Sequence, residues 1–282
     1  MPPSPPTDLL ELVDDPTMVE AIDRLQAMYA AARKLVAERL QARTEAFHNR
    51  PGDHRGGTNP GPKANTVPVS DITRFDQATI IPARREAYEE VLSEIDGLHG
   101  FPAGSRDCVV ELVPSEGDGL VGQFRPMKPG TGPDPDGQFP TWVTVSETGL
   151  RDESLTLTHE LGHRLDMDMV PGGGYDYYTN GDTPAVNTFF GSVAQTPTLR
   201  GAIENNGPEY GAYLGNRQEV WARAYSQWVA TKSSDSRTGG WLRAGIADSK
   251  YSRPGWQWPD DEFQRDVAPH VVGILRERGL TP

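Results

Sequence analysis

The chain has 282 residues, 36% of them hydrophobic and 24% charged, enough to bury one substantial core with an appendage, so one to two domains are expected. A formal charge of -13 and a pI near 4.9 argue against affinity for phosphate backbones, which demands clustered Lys and Arg, and nucleic acid is not an expected partner. No apolar run is long enough to span a bilayer, and the start Met1-Pro-Pro-Ser-Pro-Pro lacks the basic and apolar parts of a secretory signal, so neither membrane insertion nor export by that route is expected.

Residues 1 to 16 are Pro-rich and acidic and read as extended. From 17 to 48, Met18, Ile22, Leu25, Met28, Tyr29, Ala32, Leu35, Val36 and Leu40 recur every three or four positions, which predicts a long helix. That helix fits either packing across the rest of the chain or pairing with a protein partner, including a second copy. Residues 49 to 70 are rich in Pro and Gly and read as a linker, which divides the chain into 1–70 and 71–282. A helix is expected from Ala83 to Leu98, then strands near 108–113, 119–125 and 141–146, with a loop over Met127–Gln138. Cys108 is the lone cysteine, so no intrachain disulfide is available, consistent with a reducing cytoplasm; in its strand it reads as a buried, unreactive thiol.

The segment His159-Glu160-Leu161-Gly162-His163 carries the chemistry. Residues four apart share one face of a helix, so both imidazoles reach one Zn²⁺ while the intervening carboxylate points toward the open side of the metal. Leu157, Leu161 and Leu165 form an apolar stripe that supports the helix, Asp152 or Thr148 is placed to cap it, and Gly172 to Gly174 end it. A third ligand must come from elsewhere. Met169 stands where a metzincin would have its third His, which removes that option, and His48, His54, His99 and His270 have no helpful spacing. A carboxylate is therefore expected.

Glu219 opens a helical run containing Val220, Trp221, Ala224, Tyr225 and Trp228, and small Ala222 on its face would let two helices approach closely. The same residues fit a capping-box start with Asn216 as N-cap, which needs no metal, so this segment alone leaves the role of Glu219 open. Asp166, three residues after His163, fits either orientation of an imidazole or arginine from behind or a solvated acid. Asp168, Asp176 and Asp182 are weaker ligand candidates.

The pairing of His-Glu-Leu-Gly-His with a later Tyr-x5-Glu-x-x-Ala-Arg-Ala-Tyr resembles the gluzincin metallopeptidases, in particular the branch containing the catalytic domain of anthrax lethal factor and the metallopeptidase-like domains of phage minor head proteins. The resemblance spans roughly residues 140 to 230. It implies an α+β zincin-like fold, Glu219 as third ligand beside His159 and His163, and Tyr213 as a tyrosine facing Zn²⁺. The Tyr-to-Glu spacing is one residue shorter than in that branch, which leaves Tyr210 as the other candidate. Glu160 is then the base that activates a zinc-bound water for attack on a peptide bond of a protein or peptide substrate, with Tyr213 steadying the oxyanion. The resemblance also implies that Thr141–Ser146 is an edge strand receiving the substrate as an added strand. A reading of another class is an assembly protein of the phage head type with an accessory zincin domain, which would place the chain in a virion.

Five aromatics, Trp241, Tyr251, Trp256, Trp258 and Phe263, precede a short final helix near Phe263 to Arg278 and read mainly as core staples.

Overall fold

The computed structural model of the protein describes residues 66–114, 122–126, 140–148, 150–171, 176–233, 239–240, 243 and 257–281. The chain divides between Pro60 and Gly61 into two units, and every described residue belongs to the second. The expected 17–48 helix, the Met127–Gln138 loop, the stop at Gly172 to Gly174 and the aromatics Trp241, Tyr251 and Trp256 lie outside the described residues.

The described residues form a mixed α+β fold. Strands β1 (Thr66–Val67) and β3 (Phe101–Pro102) make a small antiparallel pair. The last residues of the compositional linker thus belong to the fold, and Val69 is fully buried while Ser70 N–H donates to Asp96 at 3.2 Å. The main sheet has the order β2 (Thr73–Phe75), β4 (Cys108–Val113), β6 (Thr141–Ser146), β5 (Gly122–Arg125). The first three strands run parallel and β5 is antiparallel. In β4, Cys108, Val110 and Leu112 are buried and their neighbours are not, as the two-residue period of a strand requires. Burial raises the Cys108 thiol, which keeps it protonated and inert.

One expectation is overturned. Thr141–Ser146 is not an edge: it pairs with β4 along its whole length on one side and with β5 on the other. On that side, among the described residues, the edge is β5. Val143 and Val145 are fully buried on one face, a pattern shared by interior and edge strands, so it is the pairing that sets the place of Thr141–Ser146.

Helix α1 (Pro82–Leu98) starts with Pro at its first turn, where the missing N–H costs nothing, and buries Ala87, Tyr88, Val91, Leu92 and Ile95. Helix α2 (Leu150–Asp168) carries both histidines of the motif and is buried on nearly every side; Leu157, Leu161 and Leu165 are fully enclosed. It begins at Leu150, so Asp152 lies inside the first turn and not at a cap. Glu153 does the anchoring: its buried carboxylate accepts from Thr148 N–H (3.1 Å), Tyr88 hydroxyl (2.9 Å) and Arg84 Nε (3.2 Å). At the other end, the fully buried Arg164 donates to Thr73 Oγ1 at 3.2 Å and to Arg106 O, and sits 3.4 Å from Asp168.

Between α2 and the Glu219 helix the chain forms three short helices, α3 (Pro184–Val193), α4 (Pro197–Asn205) and α5 (Pro208–Leu214). Thr183 and Thr196 cap the first two and Pro begins all three. Helix α6 (Arg217–Lys232) then crosses α2 at close range. A Cβ placed on Gly162 would stand 2.9 Å from Tyr225 Cδ1 and 3.1 Å from Ala222 Cα, so glycine on one helix and alanine on the other set this approach. Trp221 Nε1 adds a bond to Gly162 O at 3.0 Å. The C-terminal helix runs from Asp260 to Glu277 through a π turn at Phe263–Val267, with its last part, α7 (Ala268–Glu277), packed on α3. Trp258 and Phe263 are buried in the core.

His99 is a structural histidine under α6. Its Nδ1 pairs with Gly100 O (2.8 Å) and its Nε2 with the Tyr225 hydroxyl (2.9 Å), so the ring sits neutral, and burial lowers its pKa from 6.5 to about 4. Between these values the unfolded chain holds a proton at residue 99 that the folded chain does not, so stability is full above pH 6.5 and declines as pH falls toward about 4. Denaturant unfolding of the metal-free protein is expected to lose up to about 3 kcal/mol more across that window than the His99→Asn variant does. Equal losses would remove His99 as the cause.

Candidate metal centre

The α2–α6 crossing brings together the three residues expected to ligate a metal. His163 Nε2 lies 3.2 Å from Glu219 Oε1 and His159 Nε2 lies 3.4 Å from Glu219 Oε2. The three ligand atoms all fall within 4.8 Å of one another. The two rings stand nearly perpendicular, 88° apart, with centroids 4.8 Å distant. Both histidines are buried, while Glu219 on the first turn of α6 keeps partial exposure toward the open side.

Asn216 does cap α6, its side chain accepting from Gln218 N–H at 2.9 Å. Glu219 does not complete a capping box: its carboxylate turns to the imidazoles. Desolvation acts to raise Glu219, yet the hydrogen bonds and charge of His159 and His163 hold it well below the ordinary carboxylate range. For His163, burial acts to lower the imidazole, and the bond and charge of Glu219 override it and raise it. Positive charge is thus favoured where the three groups meet.

Glu160 is 5% exposed and its carboxyl is raised, first by burial, with the neighbouring imidazoles and the Phe124 backbone N–H opposing. Strand β5 runs directly over it. A Cβ on Gly122 would lie 2.9 Å from Glu160 Oε1 and 2.3 Å from Thr156 Cγ2, so only glycine lets β5 come this near the Glu160 carboxylate. An isolated glycine in a predicted strand was the signal available for this residue.

Of the two tyrosine candidates, Tyr213 interacts with the Glu219 carboxylate. Loss of solvent, then the charge of Glu219 and a hydrogen bond to it, raise the Tyr213 phenol, while its ring remains 42% exposed. Tyr210 stacks on it, with centroids 5.7 Å apart. The buried Arg223 fixes this corner by donating to Glu219 O at 3.1 Å and to Leu214 O, tying the end of α5 to α6.

A further phenol, Tyr177, approaches from the turn Tyr178–Asn180 and had no signal in the sequence. Burial raises its pKa, and the charges of Asp166, Glu160 and Glu219 add to the effect. Asp166 lies behind the site and bonds neither a ligating imidazole nor an arginine: its two oxygens accept from Thr179 N–H and hydroxyl. Burial pushes it up to about 7 against those bonds. Asp168 pairs with Arg164, Asp176 accepts from Tyr177 N–H and Asn180, and Asp182 stands at the approach to α3, so none of the three joins the cluster. His99 and His270 are also outside it, and His48 and His54 lie outside the described residues.

Comparison of the chain with known protein families, curated proteins and solved structures returns no match. Among the described residues no helix is long and apolar enough to cross a membrane.

Proposed function

We propose that the protein is a zinc-dependent metallopeptidase with a zincin-like domain, in which His159, His163 and Glu219 hold the cation and Glu160 acts as general base. The observation that carries this reading is the arrival of Glu219, from 56 residues further along the chain, between two imidazoles of one helix. The donor set fits. Two imidazole nitrogens and a carboxylate, with two contacts near the roughly 3.4 Å spacing of donors around a tetrahedral centre with bonds of about 2.1 Å, suit Zn²⁺. Glu219 Oε2 is buried and its nearest partner is His159 Nε2 at 3.4 Å, too far for a strong hydrogen bond, a state that a cation would relieve.

When bound, the cation polarises a substrate carbonyl and lowers the pKa of water at its open position. Glu160 takes the proton from the attacking water and passes it to the leaving amine, a task suited to a carboxyl raised by burial. The Tyr213 phenol, facing Glu219 from the exposed side, donates to the oxyanion formed on the carbonyl. Among the described residues β5 closes this side of the sheet, and its outer side offers main-chain groups to an extended peptide beside Glu160, the role expected of Thr141–Ser146.

The test joins metal analysis to cleavage of a peptide library. One equivalent of zinc per chain and cleavage abolished by chelation and restored by zinc are expected; a folded chain that binds no zinc overturns the reading. A second prediction follows from Gly122. Gly122→Ala is expected to lower turnover at least about tenfold with zinc content unchanged, because the added methyl displaces either Glu160 or the edge strand. Adding Thr156→Ser removes the methyl 2.3 Å away and should recover thermal stability more than turnover. Full recovery of both would reduce Gly122 to a spacer between strand and helix.

A further inference from the structure

Asp166 is fully buried one turn beyond His163 on α2, and its carboxylate is committed to a single residue. Thr179 donates to it through its backbone N–H at 2.8 Å and through its hydroxyl at 2.6 Å, and Thr179 is itself fully buried. Thr179 lies in the turn Tyr178–Asn180. From the same turn two bonds lead to the first turn of α6: Gln218 Nε2 donates to Asn180 Oδ1 at 2.9 Å, and Arg217 donates to Thr179 O at 3.2 Å. Arg217 and Gln218 immediately precede Glu219.

The geometry points to the Asp166–Thr179 clasp as the device that presets the metal ligands, a positioning role that rests on reading the triad as a metal site. Glu219 stands on the first turn of its helix, which Asn216 caps and Arg223 ties toward α5, but neither of those bonds reaches the histidine helix. The core crossing of the two helices at Gly162, Ala222 and Trp221 fixes their approach, while Glu219 lies on the turn before Trp221. The clasp supplies the missing link. It anchors the 178–180 turn to the histidine helix, and that turn holds the residues next to Glu219, so the carboxylate meets the imidazoles before any cation arrives. A preassembled triad binds more tightly because less ordering remains to be done on binding.

The test is the affinity of the full-length chain for zinc, read by competition with a chromophoric chelator, beside the melting temperature of the metal-free protein. Thr179→Val deletes the hydroxyl donor and is expected to weaken zinc binding about tenfold or more, the scale of an outer-shell partner. Thr179→Ser keeps both donors and should retain the wild-type affinity. Gln218→Ala cuts the α6 side of the link at a partly exposed residue, with little risk to folding, and should weaken zinc binding several-fold. A merely structural clasp would lower the melting temperature and leave the affinity of the folded protein unchanged. Wild-type affinity in Thr179→Val and Gln218→Ala overturns this inference alone. A folded wild-type chain without zinc affinity overturns the metallopeptidase reading, and this inference with it.

Discussion

Replacement of Glu160 by Gln is expected to leave zinc bound and to reduce peptide hydrolysis by about a thousandfold, within the range assigned to a positioned proton-transfer group. The amide keeps the volume of the side chain, so β5 at Gly122 and the methyl of Thr156 meet the same shape. What disappears is the capacity to take a proton. The ligand set is untouched, because Glu160 is not among the three groups that converge. A loss in kcat with nearly constant KM and unchanged metal stoichiometry is the expected result, since the interaction removed acts only as charge develops. Activity within a few-fold of wild type would show that the water is activated without Glu160.

Much of this site was legible because its parts obey local rules. The spacing of His159 and His163 fixes them on one helical face, and the leucine stripe at 157, 161 and 165 is buried as its period requires. Ala222 was expected to allow a close helix approach, and it lies against Gly162. The strands at 108–113 and 141–146 and the helix near 83–98 were marked by composition and periodicity. What escaped depends on partners distant in the chain. No local feature distinguishes Thr179 from any other threonine in a loop, and its importance arises from Asp166, 13 residues upstream. The rank of β6 within the sheet could not be read because an interior strand and an edge strand with one buried face share the same alternation. The helices α3 to α5 were not expected from the sequence, because their short length hides the 3.6-residue period, although Thr183-Pro184, Thr196-Pro197 and Gly207-Pro208 are residue pairs suited to a helix start. Gly207, with φ of 75°, adopts a backbone that disfavours side chains, which explains glycine before the third.

Glu219→Ala is expected to raise the zinc Kd more than about a hundredfold, beyond the range of an outer-shell partner, because it removes one of three donors to the cation. The fold should survive. Asn216 still caps α6, and Ala222, Trp221 and Tyr225 still hold it to α2. The metal-free variant should also respond differently to acid. In the wild type the imidazoles hold Glu219 far below the ordinary carboxylate value of 4.5, so its stabilising effect is present above that pH and fades as pH falls below it. Without the carboxylate that contribution is gone at every pH, and His163 loses the bond and charge that raise it while burial remains to lower it. Metal-free Glu219→Ala should therefore begin to lose stability as pH falls below the ordinary imidazole value of 6.5, where the buried His163 resists the proton, and should lack the decline below pH 4.5 that Glu219 gives the metal-free wild type. Zinc affinity equal to the wild type would mean that the carboxylate meets the imidazoles only as an ion pair, and a cation held elsewhere would then be needed to explain any hydrolysis.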